Sequence, residues 1–204
     1  MRLLWFIVWV LFIGYAVWLA PGEGVGDDPI FAELLRLQAE EPLVLMMFAL
    51  LGVFPLVYAC LLLRDDRGSW PAWPFVVLSL GLGAFALLPY FFVSLPGRRI
   101  HHRVSGGLRS VCESRLVQLL LLALTLGLVA WGVGSGDPEA YAEAFMASHF
   151  VHVMTLDFVL LALLSVYAIA NQQRGYRSRP GAAWLGLLPL VGPLLYTLFS
   201  RVPR

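Results

Sequence analysis

The stretch His149-Phe-Val-His-Val-Met-Thr-Leu-Asp157-Phe-Val-Leu-Leu-Ala-Leu-Leu-Ser-Val-Tyr-Ala-Ile-Ala170 holds one carboxylate in a long apolar run. As a helix it would extend roughly 33 Å at 1.5 Å per residue, enough to cross the hydrocarbon of a bilayer. Its apolar residues fall on every side, the pattern of a helix surrounded by lipid or protein. Asp157 would then lie about 12 Å along the axis from His149. A carboxylate at that depth costs about 2.5–3.5 kcal/mol on insertion scales. It therefore has to face protein, protonated or hydrogen-bonded.

Five further apolar runs accompany it: Leu3–Ala20, Leu43–Leu63, Trp73–Leu95, Leu116–Val133 and Ala182–Ser200. The composition agrees, with 60% hydrophobic and 13% charged residues, against about 25% charged in soluble domains. The predicted fold is an all-α transmembrane bundle of about six spans in one domain. The first run starts with a single charge, Arg2, and has Trp18 where a signal peptide needs a small residue before cleavage, so it reads as a retained span. Pro55, Pro189 and Pro193 lie inside runs, and each frees a carbonyl that must find a partner within the protein. Ser79/Gly83, Ala123/Gly127 and Ala130/Gly134 have the four-residue spacing of close helix contacts.

The connections differ in charge. Pro21–Pro42 carries Glu23, Asp27, Asp28, Glu33, Glu40 and Glu41 against Arg36, whereas Gly97–Arg115 carries Arg98, Arg99, Arg103, Arg109 and Arg115. Six spans with both termini outside place nine arginines on the cytoplasmic side and five on the other, a mild preference under the positive-inside rule. Arg2 argues the opposite way. Five spans with one re-entrant stretch would also resolve the conflict.

The residues able to carry chemistry are few. Asp157, His149, His152, Tyr90 and Tyr196 form a candidate intramembrane polar site, with Tyr58 and Gln118 as further partners for Asp157. Its functional reading is a proton relay, an ion site or an anchor for a polar ligand group; its structural reading is a hydrogen bond between helices. His149 and His152 lie about 60° apart on a helix, and one of them would suit haem or chlorophyll, but Asp157 lies about 140° around from His152 and completes no metal site. No metal is expected. Arg98, Arg99 and Arg103, with His101 and His102 beside them, read as a cluster for anionic lipid headgroups or for setting topology. Cys60 lies in an apolar run and Cys112 in a basic loop, settings that suggest no pairing. Phosphate loops, dinucleotide fingerprints, nucleophile elbows and zinc-protease helices are missing from the sequence. A net charge of +1 gives no basis for a nucleic-acid partner.

Several blocks carry a resemblance: Phe48-Ala-Leu-Leu-Gly-Val-Phe-Pro-Leu-Val-Tyr-Ala-Cys-Leu-Leu-Leu-Arg-Asp-Asp-Arg67, Pro71-Ala-Trp-Pro-Phe75, Gly83-Ala-Phe-Ala-Leu-Leu-Pro-Tyr90, His149 to Asp157, and Leu188-Pro-Leu-Val-Gly-Pro-Leu-Leu-Tyr196. Together they resemble a family of polytopic membrane proteins of cyanobacteria and plastids, to which no reaction is attached. The last two runs are also similar to plastid membrane proteins linked to neoxanthin synthesis. The first resemblance implies a thylakoid or cytoplasmic (inner) membrane, and the second implies carotenoid handling. Chlorophyll, carotenoid or lipid are the bound groups to expect, and a larger membrane complex is the expected partner. The function expected is that of a non-catalytic accessory protein. The alternative is a carotenoid- or isoprenoid-modifying enzyme that uses Asp157 for proton transfer, and a transporter ranks behind both.

Overall fold

A computed structural model describes residues 1–22, 28–36, 38–64, 66, 68–95, 103–175 and 182–200. The described residues are helical, with no strand among them. Three helices are long and apolar enough to cross a membrane: α3 (Pro42–Leu62), α7 (Arg115–Ser135) and α9 (His149–Gly175). α1 (Arg2–Trp18) is apolar and shorter. The remaining helices are α2 (Pro29–Leu35), α4 (Trp73–Leu82), α5 (Ala84–Val93), α6 (Gly106–Glu113), α8 (Pro138–Ala147) and α10 (Val191–Phe199), with a 3-10 segment at Ala182–Leu187.

The long helices share a core built on α3. Phe54 of α3 meets Phe158 of α9 edge-on at 5.1 Å, and Phe48 lies 6.1 Å from Phe150, so these two helices run parallel. α7 runs antiparallel to α3, because a methyl added at Gly132 would press on Met46 and one at Gly136 on Leu43. α1 is antiparallel to α9: Trp5 packs on Tyr167 and Tyr15 on His152.

The run 73–95 is not one helix. It breaks at Gly83, whose φ of 51° and ψ of −130° turn the chain back on itself. The two ends of the resulting hairpin meet. Ser69 N donates to the Leu95 carbonyl at 2.9 Å, Leu95 N donates to Ser69 Oγ, and the Phe75 and Tyr90 rings lie 5.7 Å apart. Each arm has 10 residues, about 15 Å of helix, half a membrane's depth.

The run 182–200 is not one helix either. Gly192 sits so close to Leu185 that a Cβ would fall 1.6 Å from the Leu185 carbonyl oxygen, which requires the chain to fold back between them. The reversal is a classic γ-turn centred on Leu190 (φ 61°, ψ −52°), in which Val191 N donates to the Pro189 carbonyl at 2.6 Å. That carbonyl is the one Pro193 deprives of a helical donor. In the same way Pro89 frees the Phe85 carbonyl, and the Trp9 indole N–H takes it at 2.8 Å.

The two hairpins enter from one end of the bundle. At that end Arg64 donates to the Thr197 and Ser200 carbonyls, Gln172 donates to the Leu61 carbonyl, and Arg2 donates to the Phe92 and Val93 carbonyls. Arg103 (at the base of the first hairpin), Arg109 and Arg115 lie there as well. The opposite end gathers the end of α1, the start of α3 and the α7–α8–α9 connection. Glu41 accepts from Asp137 N across it at 2.9 Å, and Arg36 is the one described arginine on that side.

The small-residue expectation changes accordingly. Gly83 terminates a helix and is approached closely by Asp157, whereas a Cβ added at Gly127 or Gly134 would meet nothing within 4 Å among the described residues. In α7 the close helix contacts fall at Gly132 and Gly136.

Candidate functional site

Asp157 meets the tip of the first hairpin. Its Oδ1 accepts from Ala84 N at 2.7 Å, the first amide of α5. A helix start leaves amides without partners, and a carboxylate is the best acceptor for them because the helix dipole also favours negative charge there. The carboxylate comes from a different helix than the one it caps, and it is 3% exposed. Gly83 makes the approach feasible, since a Cβ at that position would lie 1.8 Å from Asp157 Oδ2. No sequence-derived partner of Asp157 supplies this bond. Tyr58 Oη donates to the Leu161 carbonyl at 2.7 Å, and Gln118 Nε2 donates to the Cys112 carbonyl at 2.9 Å.

The other residues of the expected polar site are distributed along the bundle. His149 and His152 lie at the acidic end. His152 Nδ1 donates to the Phe145 carbonyl at 2.9 Å, so its Nε2, when neutral, accepts from Tyr15 Oη at 2.8 Å. Phe145 stacks on the ring at 4.1 Å. His149 Nε2 donates to the Ala16 carbonyl at 2.7 Å, and its Nδ1 is buried without a partner among the described residues. Tyr90 belongs to the arm of the first hairpin, packed by Phe75 and Phe91, and Tyr196 to the second hairpin, under the Arg64 guanidinium at 5.8 Å. A single site built from these five residues is not what the fold provides.

Among the described residues no group of three or more His, Cys, Asp or Glu side chains is placed to hold a metal. Arg103 is occupied at the hairpin base, donating to the Gly68 carbonyl at 2.8 Å and lying 3.5 Å from Asp66. This competes with the expected headgroup contact. Arg98 and Arg99 lie outside the described residues.

Two features escaped the sequence reading. Asp28, 5% exposed, accepts from Ile30 N and Phe31 N at the start of α2 and from Ser148 Oγ and Phe150 N at the start of α9. The Asp-Pro pair at 28–29 is a helix-start signal that would have found the first half of this role. Cys60 and Cys112, read as lying in separate settings, fall in one buried cluster.

No protein-family model, curated protein or solved structure matches the chain.

Proposed function

We propose that this is an integral membrane protein with four crossings, α1, α3, α7 and α9, and two re-entrant hairpins that both enter from the cytoplasmic side. The observation that carries this reading is the sorting of arginine. Arg2, Arg64, Arg103, Arg109 and Arg115 lie at the end where the hairpins enter. Among the described arginines placed by these contacts, Arg36 alone lies at the opposite end. Replacing six crossings by four turns an uneven arginine count into a strongly one-sided one, as the positive-inside rule demands. Both termini then face the cytoplasm, the reverse of what six spans favour. Cysteine-accessibility labelling of intact cells tests this. Reporters at 36 and 140 should label from outside and reporters at 98 and 178 only after permeabilisation; the converse pattern would sink it.

Within that membrane we read the protein as a non-catalytic accessory subunit, assembly factor or pigment- and lipid-binding partner of an energy-transducing complex. Support comes from Asp157 Oδ1, His149 Nε2 and both ring nitrogens of His152, which are engaged by backbone groups and by Tyr15. It also comes from the apolar outer faces of α1 and α7, where Leu11, Leu116, Leu120 and Val133 are exposed. A photosynthetic membrane follows from the resemblance of the quoted blocks. Mild-detergent purification from native membranes should recover a larger complex, and a monodisperse protein without partners would count against it.

One observation favours a second reading. A half-helix that starts at mid-depth opposite a carboxylate is the arrangement coupled transporters use to hold ions. Proton or cation flux in proteoliposomes that is abolished by Asp157→Asn would establish that reading and displace the accessory one.

A further inference from the structure

Two stretches of the chain follow one plan. Arg2, Leu3, Leu11, Gly14 and Trp18 of α1 match Arg115, Leu116, Leu124, Gly127 and Trp131 of α7 at one constant spacing. Asp28-Pro29 and Asp137-Pro138 each start a short helix, and each aspartate accepts from the amide two residues on, Ile30 N at 3.0 Å and Glu139 N at 2.9 Å. Val57-Tyr58-Ala59 of α3 matches Val166-Tyr167-Ala168 of α9. A hairpin follows each of these long helices. Ala72-Trp73 matches Ala183-Trp184 at its first arm, and Tyr90 and Ser94 match Tyr196 and Ser200 at its second, where both serines end a helix. The order of elements is therefore the same twice: apolar helix, short helix, long helix, hairpin, with a 3-10 segment standing in the second copy where α4 stands in the first. Among the described helices only α6, which joins the two stretches, has no counterpart.

The packing is reciprocal. α3 and α9 run parallel and meet through Phe54 and Phe158, and each is flanked by an antiparallel helix of the other stretch, α7 on α3 and α1 on α9. The hairpins are exchanged: α5 lies on α9, where Phe91 meets Tyr167 at 5.7 Å, and α10 lies on α3, where its carbonyls take Arg64. The short helices cross over as well. Asp28, which caps α2, accepts from Phe150 N of α9 at 3.0 Å, and Asp137, which caps α8, gives its own amide to Glu41 at the start of α3 at 2.9 Å. Reciprocal contacts of this kind are what a two-fold interface produces. One seam departs from the rule: α7 approaches α3 closely at Gly132 and Gly136, whereas the rings of Trp5, Tyr15, His152 and Tyr167 fill the seam between α1 and α9.

We propose that residues 2–95 and 115–200 are two copies of one unit, related by a pseudo-two-fold axis along the bundle, and that the partner each copy is shaped to bind is the other. Two crossings return each copy to the side where it began, so the copies point the same way, as parallel repeats of membrane proteins do. Asp157 lies as far after Asp137 and before Tyr167 as Phe48 lies after Asp28 and before Tyr58. The carboxylate that caps the first hairpin thus has a phenylalanine as its counterpart, and the second hairpin, without a carboxylate, closes on itself at Leu190. Any polar role at that depth belongs to one copy alone. The direction of the axis in the membrane rests on the four-crossing reading; the equivalence of the copies does not.

The test measures distances between spin labels by pulsed electron paramagnetic resonance, on the full-length protein in lipid nanodiscs. Leu3, Trp18 and Trp73 and their counterparts Leu116, Trp131 and Trp184 are all exposed and accept labels at introduced cysteines. The wild-type protein, whose Cys60 and Cys112 are buried, is the control for background labelling. A two-fold relation requires Leu3→Cys/Trp131→Cys to give the same distance as Leu116→Cys/Trp18→Cys. It also requires Leu3→Cys/Trp184→Cys to match Leu116→Cys/Trp73→Cys. Both pairs should agree within the width of the distance distributions, and a mismatch in either would overturn the proposal. Where one variant fails to fold, the other comparison decides. Sidedness labelling at 36 and 140 that contradicted four crossings would leave these equalities untouched, so the two readings can fail separately.

Discussion

The two hairpins reverse the chain by opposite means. The first turns at Gly83, a residue free to adopt its φ of 51°, and borrows the Asp157 carboxylate to satisfy the amide that the turn exposes. The second turns at Leu190, which holds a φ of 61° with a side chain attached, and satisfies itself through the Pro189 carbonyl. One tip is relaxed and depends on a distant partner. The other is strained and closed within its own residues. Positive φ at a non-glycine residue costs on the order of 1–3 kcal/mol. Burial of Leu190, 1% exposed, is what offsets that cost.

Substitutions should separate the two designs. The largest effect is expected from Gly83→Ala, which combines dihedral strain with a Cβ driven into Asp157. Thermal unfolding in detergent should show a loss on the order of 3 kcal/mol or more. Gly192→Ala presses a Cβ on the Leu185 carbonyl without dihedral strain, and about 2 kcal/mol is expected by the same assay. Asp157→Leu leaves the Ala84 amide buried and unpaired, at about 1–3 kcal/mol, whereas Asp157→Asn keeps an acceptor oxygen and should cost less than about 1 kcal/mol. Equal losses for the two Asp157 variants would show that the charge, rather than the hydrogen bond, holds the first tip. The smallest effects belong to the hairpin bases. Arg64→Ala removes buried charge-assisted bonds to the Thr197 and Ser200 carbonyls and should cost about 1.5 kcal/mol. Arg103→Ala, at a partly exposed position, should cost less than about 1 kcal/mol.

The long helices were legible because twenty-odd apolar residues have few other uses. The hairpins were not, because a largely apolar run of 23 residues at 73–95 is as good for two half-depth helices as for one crossing. Gly83 was visible, but its spacing from Ser79 suggested a helix contact instead of a break. The arginine count conflicted with six spans, and the proposed four-crossing arrangement removes that conflict. Asp157 was legible as a group in need of a partner. The partner was a backbone amide, which no inventory of side chains lists.

The bond between Ala84 and Asp157 joins residues 73 positions apart, and Arg2 waits 90 positions for the Phe92 carbonyl. At synthesis rates of about 5–20 residues per second, the first hairpin emerges from the ribosome on the order of ten seconds before its cap exists. During that interval its tip has an exposed amide and no seal, and must be sheltered by water or by the insertion machinery. A chain arrested before α9 would be expected to lose this hairpin to proteolysis, and the arrival of Asp157 is the step that commits the first half of the molecule to its final place.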